Sequence, residues 1–484
     1  MASPSPLPDH HLVIFPFMAQ GHTLPLLDLS KALARRRLKI TIITTPYNAT
    51  LILPYISKHK EIYLIQIPFP DVEGLPKGCE NTSHFNANSM DQFFTFIAAT
   101  AKLQQPFQKI LQEMSEAGDL PIGVISDMFL GWTLPPCHLF GVPRLVFHGM
   151  SVLALAIGKT LELHEPHMMV ASHLKPLPMP GLSTLPFTLT WDDLPPNFQV
   201  SHHDTPFHRF LSETKEFEEN SWGVVVNSFI ELEGEYLSTL ESFYRNGAKA
   251  WCVGPVSLYN DDDEGANGND EHNQSDQYII KWLDEQQLAR LASVIYVSFG
   301  TQAHVSDMQL DEIATGLEMS GQPFIWVIRS KTWSPPEGLE ERVKGRGLIV
   351  SHWVDQRQIL AHNATGGFLS HCGWNSVLEG LSRGVPILAW PMLAEQPFNA
   401  KFVVDGLGVG LSIVVGPITR EILPVGCEAI CDGVRELMIG EKGKKAREKA
   451  EALGLKARQV VQKGGSSDRK LDELIECLST LNKS

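Results

Sequence analysis

Short apolar runs recur along the chain, separated by stretches whose apolar positions fall three and four apart. In the first half the runs are His11–Phe17, Leu38–Thr44, Ile122–Asp127, Pro143–His148 and Trp222–Asn227. In the second half they are Ser293–Phe299, Pro323–Ile328, Gly347–Val350, Gly366–Ser370 and Val385–Ala389. Runs this short, rich in Val, Ile and Phe, read as strands buried on both faces. Leu24–Leu33 has helical spacing, and so does Ser376–Ser382, which stops at Gly384 before Pro386. Alternating strand and helix in each half predicts an α/β fold of two Rossmann-like, doubly wound parallel-sheet domains facing across a cleft. Ligands of such folds bind beyond the carboxyl ends of the strands, which puts the expected site in that cleft.

Between the halves lies Asn260–Ser275, polar and rich in Gly, Asn and Asp. That composition predicts a linker. The expected division is 1–250 for the N-terminal domain, 251–276 for the linker and 277–460 for the C-terminal domain. A last segment, 461–484, follows the break at Gly464–Ser467 and carries a helix over Asp468–Leu478. At 484 residues and 43% hydrophobic content the chain fills two cores rather than one. Its net charge of −15 argues against a nucleic-acid partner. The basic run Lys31–Arg37 reads as the solvated end of a helix. Seven scattered cysteines suit free thiols in a reducing cytosol, and Cys427 with Cys431 lacks the second ligand pair of a zinc site. Met1–His10 lacks the order of a signal peptide, and no run approaches the ~18 apolar residues of a membrane span. A cytoplasmic monomer is expected.

The chemistry concentrates in Trp353–Gln396, which opens Trp-Val-Asp-Gln, runs through Ser-His-Cys-Gly-Trp-Asn-Ser and closes on Ala-Glu-Gln. Residues His371–Ser376 sit where a strand feeds a helix N-terminus, so unpaired N–H groups and the helix dipole make an anion site. Asn375, Ser376 and His371 add donors, and Gly373 admits a close backbone approach. Neither the P-loop pattern nor G-x-G-x-x-G occurs, which disfavours a nucleoside triphosphatase or a standard dinucleotide site.

Taken whole, this stretch resembles the signature box of plant family 1 glycosyltransferases, which use UDP-sugars, and matches it in length without a gap. The resemblance implies a GT-B fold in which the first domain binds the acceptor and the second the UDP-sugar. It also implies that the last helix braces the N-terminal domain. By the same resemblance, Trp353 stacks on uracil, Val354 bonds the base through its backbone, and Gln356 and Glu379 hold the ribose. His371, Asn375 and Ser376 bind the diphosphate, and Thr301 is a further phosphate contact. Trp374, Glu395 and Gln396 bind the sugar hydroxyls, and the terminal Gln implies UDP-glucose rather than UDP-galactose. Val354-Asp355 stands where the family more often has Ala-Pro, and Glu395 where it more often has Asp. Neither change removes a required acceptor.

The catalytic candidates lie in the first half. His22 follows the first strand at the mouth of the next helix, with Pro25 expected in the first turn, where a missing N–H costs nothing. A histidine there, with an ordinary pKa near ~6.5, accepts a proton at cytosolic pH. Asp127 ends another buried strand and is suited to bond the far imidazole nitrogen, fixing the tautomer and stabilising the imidazolium. The resembled family carries its base and helper in these contexts. The expected reaction is a single inverting displacement: His22 deprotonates an acceptor hydroxyl, which attacks the anomeric carbon as UDP leaves, giving a β-glycoside. No cofactor and no metal is implied. The run Asp261–Asp263 has D-x-D form, yet lies in linker composition rather than beside a strand.

Phe85–Phe107, Phe147–His164 and Leu177–Phe210 are rich in Phe, Met, Leu, Pro and His, fitting an apolar pocket for a planar acceptor. Phe15–His22 and Leu145–Gly149 resemble family members acting on flavonoids, other phenolics or terpenoids. His148 stands where many members place Thr or Ser near the sugar, and its contact is left open. Two other readings remain: a nucleotide-sugar epimerase of related architecture, and a UDP-sugar-binding protein without catalysis.

Overall fold

The computed structural model describes residues 10–85, 89–170, 172–195, 198–199, 206–260, 271–300, 305–330, 332–413 and 425–481. All ten apolar runs are strands, and three short ones join them. The first sheet holds β1 (His10–Phe15), β2 (Leu38–Thr44), β3 (Ile62–Gln66), β4 (Gly123–Asp127), β5 (Arg144–His148), β6 (Gly223–Val226) and β7 (Lys249–Cys252). Their order is β3-β2-β1-β4-β5-β6-β7, and every pair is parallel. The second sheet holds β8 (Val294–Ser298), β9 (Phe324–Val327), β10 (Gly347–Val350), β11 (Thr365–Ser370), β12 (Ile387–Ala389) and β13 (Gly410–Ser412). It too is parallel throughout, in the order β10-β9-β8-β11-β12-β13. Both orders reverse direction beside the central strand, so each sheet has the switch point expected of a doubly wound fold.

Each sheet is covered on both faces, which explains why its central strands read as unbroken apolar runs. In β1, Leu12 and Ile14 enter one core while Val13 and Phe15 enter the other. In β8, Ile295 and Val297 part in the same way from Val294 and Tyr296. The two-residue period of a strand dictates this division.

The chain forms two compact units: Met1–Val152 with His202–Asp261 and Val460–Ser484, and Leu153–Ser201 with Asp262–Gln459. This differs from the expected division in two places. Residues 153–201, assigned by sequence to the first domain, cluster with the second unit. The expected linker 251–276 is also too wide. Trp251, Val253 and Val256 belong to a core of the first unit. Asn260 is fully buried and donates from Nδ2 to Asp28 Oδ1 at 3.1 Å. A helix, Glu271–Ala289, already runs through the latter part. The acidic run Asp261–Asp263 lies outside the described residues.

The helix Ser466–Leu481 contributes Leu471, Leu474 and Leu478 to a core of the first unit. Gly123 allows its approach, since a Cβ there would stand 3.3 Å from both Leu478 methyls. Arg36 pairs with Asp468 and, at 2.7 Å, with Asp472, while Lys31 is buried. The basic run is therefore partly a clamp on this helix and not simply solvated.

Candidate active site

In the first unit the helix Gln20–Ala34 starts immediately after the turn that leaves β1. His22 thus falls in its first turn, while Pro25 lies inside the helix rather than in the first turn as expected. Nδ1 of His22 lies 2.8 Å from Asp127 Oδ2. Asp127 is fully buried and fixed from three sides. Its Oδ1 accepts from the Phe129 N–H at 3.0 Å, its Oδ2 faces His22, and its carbonyl accepts from Arg144 Nη2 at 3.2 Å. Arg144 is buried itself, and burial pulls its guanidinium down to about 10 against the pull of nearby anions. It also donates to Ser126 and Ser221, so the floor under the pair is held by hydrogen bonds.

Aromatic rings surround the imidazole. Phe17 and Phe129 lie 5.4 and 5.2 Å from it, centroid to centroid. Phe129 in turn meets Phe93 and Phe210, and Phe94 meets Phe210. Phe93, Phe94, Phe129 and Phe210 are only partly buried, so this aromatic cluster presents apolar surface near the imidazole.

His148, the residue left without a contact, is sealed in the interior of this unit at 1% exposure. Its Nε2 lies 2.5 Å from Glu218 Oε1, an oxygen that also accepts from the Tyr244 hydroxyl at 2.6 Å. It is thus a structural partner of buried polar groups.

In the second unit the polar residues converge on the turn after β11. The following helix begins at Trp374, two residues earlier than expected, and Gly373 caps it without a side-chain bond. The first N–H groups of this helix therefore belong to Trp374, Asn375 and Ser376. The preceding turn is tight: Cys372 adopts φ +63°, and its N–H donates to Ser370 Oγ at 3.1 Å. The His371 ring packs between two glycines. A Cβ on Gly300 would come within 2.8 Å of Cε1 and Nε2, and one on Gly373 within 2.5 Å of Nε2. Burial pushes the His371 imidazole down to about 4, against a smaller opposing pull from the Ser298 backbone, so it is neutral at pH 7.

Gln356 Nε2 donates to Ser376 Oγ at 3.0 Å and to Glu379 Oε2 at 2.7 Å, joining three candidates into one network. Asp355, in the place of the commoner Pro, caps the short helix Gln356–Ala361 by accepting from the Arg357 N–H. Val354 is 5% exposed and partly buried Trp353 precedes it. Trp374 is 1% exposed, so its indole packs in the interior of this unit.

Glu395 and Gln396 open the helix Gln396–Lys401. Gln396 Oε1 accepts from both Met392 and Leu393 N–H groups at 2.9 Å. Only its amide NH2 is then left for a ligand. Thr301 lies outside the described residues. Sequence reasoning missed Asn399, whose Nδ2 donates to the Cys372 carbonyl at 3.0 Å and reaches Glu395 Oε1 at 3.4 Å. Its place one helical turn after Gln396 was the available signal.

Two parallel sheets of this order, each with polar residues gathered at strand ends, are the GT-B architecture. The model of the UDP-glucoronosyl and UDP-glucosyl transferase family matches residues 283–434. The chain is 39% identical to UDP-glycosyltransferase 73B4 of Arabidopsis thaliana, over 97% of this chain and 98% of that protein. It is 38% identical to scopoletin glucosyltransferase of Nicotiana tabacum, over 97% and 98%. Among solved structures it is similar to Glycyrrhiza uralensis UGT73P12 complexed with glycyrrhetinic acid 3-O-monoglucuronide. That likeness has a TM-score of 0.84 and 31% identity, and covers 98% of this chain and 96% of that one. The chain belongs to the UDP-glycosyltransferase family and is a transferase that uses a UDP-sugar.

Proposed function

We propose that this enzyme transfers glucose from UDP-glucose to a hydroxyl of a small lipophilic phenolic, with inversion, giving a β-O-glucoside. The observation that carries the reading is the His22–Asp127 pair, bonded at 2.8 Å and bordered by partly buried phenylalanines. With Nδ1 committed to Asp127, Nε2 is the nitrogen that takes the acceptor proton. The hydroxyl oxygen then bonds the anomeric carbon as the bond to UDP breaks, and the buried carboxylate stabilises the imidazolium. A phenol, with a pKa near ~10, needs less help than an alcohol. The scopoletin glucosyltransferase relative supports a phenolic acceptor.

On the donor side, Trp353 and the Val354 backbone take the uracil, and Gln356 with Glu379 the ribose. Asn375, Ser376, neutral His371 and Thr301 take the diphosphate, so the leaving group is stabilised without a metal. Glu395 and the Gln396 amide take the sugar, and Trp374 contributes through its backbone. The same reading makes the enzyme a cytosolic monomer without a cofactor. Its seven free cysteines suit a reducing compartment, and no described helix is long and apolar enough to cross a membrane. A silent UDP-sugar binder has no use for the His22–Asp127 pair, and an epimerase would need no acceptor. The test is UDP release from UDP-glucose with and without a panel of flavonols, coumarins and simple phenols. Release that no acceptor stimulates would sink the proposal.

A further inference from the structure

Residues 153–201 leave the first sheet after β5, yet they pack with the second unit, and two of their contacts fall on one short helix. That helix, Gln396–Lys401, has six residues. It runs directly on into the helical turn Phe402–Gly406, and side-chain ties add to the packing of its buried residues Pro397, Phe398 and Ala400. One tie is Asp193. Its Oδ2 accepts from the N–H and hydroxyl of Thr190 at 2.7 and 2.8 Å, and its Oδ1 lies 2.7 Å from Lys401 Nζ. Both side chains are mostly buried, at 25% and 21% exposure. Lys401 has a second carboxylate, Asp405, farther off at 3.8 Å and 52% exposed. Phe198 adds an apolar contact to Phe398, with ring centroids 6.2 Å apart. At its other end the helix carries Gln396, and Asn399 anchors it to the diphosphate turn through the Cys372 carbonyl.

We infer that Asp193 is a positioning residue for the donor sugar: through Lys401 it fixes the helix that presents Gln396. The loop around Asp193, read from sequence as acceptor-binding, thereby sets donor affinity as well. The inference rests on the reading of Gln396 as a sugar contact.

Steady-state kinetics with UDP-glucose and one accepted phenol test it. Asp193→Asn keeps an oxygen for Thr190 while removing the charge facing Lys401, so it isolates the pair from the local turn. Asp193→Asn and Lys401→Met should each raise the KM for UDP-glucose by about three- to tenfold. They should leave kcat and the acceptor KM within about twofold. The double variant should be no worse than either single, since one interaction is lost once. Unchanged donor KM in both singles, or a double variant with the product of their effects, overturns the inference. Gln396→Ala separates the two layers. If it raises the donor KM while Asp193→Asn does not, the sugar reading stands and the inference falls. If Gln396→Ala leaves the donor KM unchanged, both fall.

Discussion

Asp127→Asn offers a sharp trial of the proposed base because the structure fixes which way the new amide must point. Oδ1 of Asp127 accepts the Phe129 N–H at 3.0 Å, and Oδ2 sits 2.8 Å from His22 Nδ1. An asparagine here keeps its carbonyl oxygen on the Phe129 donor, since the NH2 group cannot accept. The NH2 therefore faces His22 and donates to Nδ1. The imidazole proton moves to Nε2, and the nitrogen meant to take the acceptor proton is already protonated. Loss of a general base costs about 10²–10⁴ in rate, and a wrong tautomer reaches the upper part of that range. Asp127→Ala removes the imposed tautomer along with the support, so it should be the less damaged of the two. The assay is kcat/KM against phenols of graded acidity, with the UDP Kd measured alongside. The deficit should shrink for the most acidic phenols, and the UDP Kd should hold. Turnover of Asp127→Asn near the wild-type value, or an alanine variant slower than the asparagine one, would refute this reasoning.

Three other outcomes follow from the donor residues. UDP-glucose should outcompete UDP-galactose by about five- to a hundredfold, the effect of leaving one buried polar group unpaired; equal use of both sugars in a mixed assay would place the discrimination elsewhere than at Glu395 and the Gln396 amide. Turnover should persist in EDTA, and loss restored by Mn²⁺ would overturn the metal-free leaving-group assignment. His371 titrates near 6.5 when unfolded and at about 4 when folded, so below pH 6.5 the unfolded chain binds the extra proton and stability falls until about pH 4. Denaturant midpoints between pH 4 and 7 should show that slope, worth at most ~3 kcal/mol, and His371→Gln should flatten it.

The central strands were legible because both their faces are covered, which leaves no polar positions to blur an apolar run. The strands missed are β3, β7 and β13, all at sheet edges. Such strands are short and mixed in character: Ile62–Gln66 is only partly buried, and Gly410–Ser412 spans three residues. The placement of 153–201 was not legible, because the ion pair that helps hold it joins residues 208 apart. In the site, the chemistry of the strand-to-helix turn could be read from residue types. What each group has left to offer could not. The Gln396 oxygen is taken by two backbone N–H groups, and the Trp374 indole is buried. His148 faces Glu218, a partner 70 positions away along the chain (218 − 148). Such commitments are made by packing between distant segments, which local pattern does not encode.

The placement of Leu471, Leu474 and Leu478 in the first unit bears on how the protein is born. They are the last residues of that core to leave the ribosome, and the whole of 262–459 must be made before them. At roughly 5–20 residues per second that is a wait of about 10–40 s. Throughout it the nascent sheet keeps an uncovered apolar strip, a natural landing place for a chaperone. A ribosome stalled within 262–459 would hold out a chain whose first half is already translated but still unfinished.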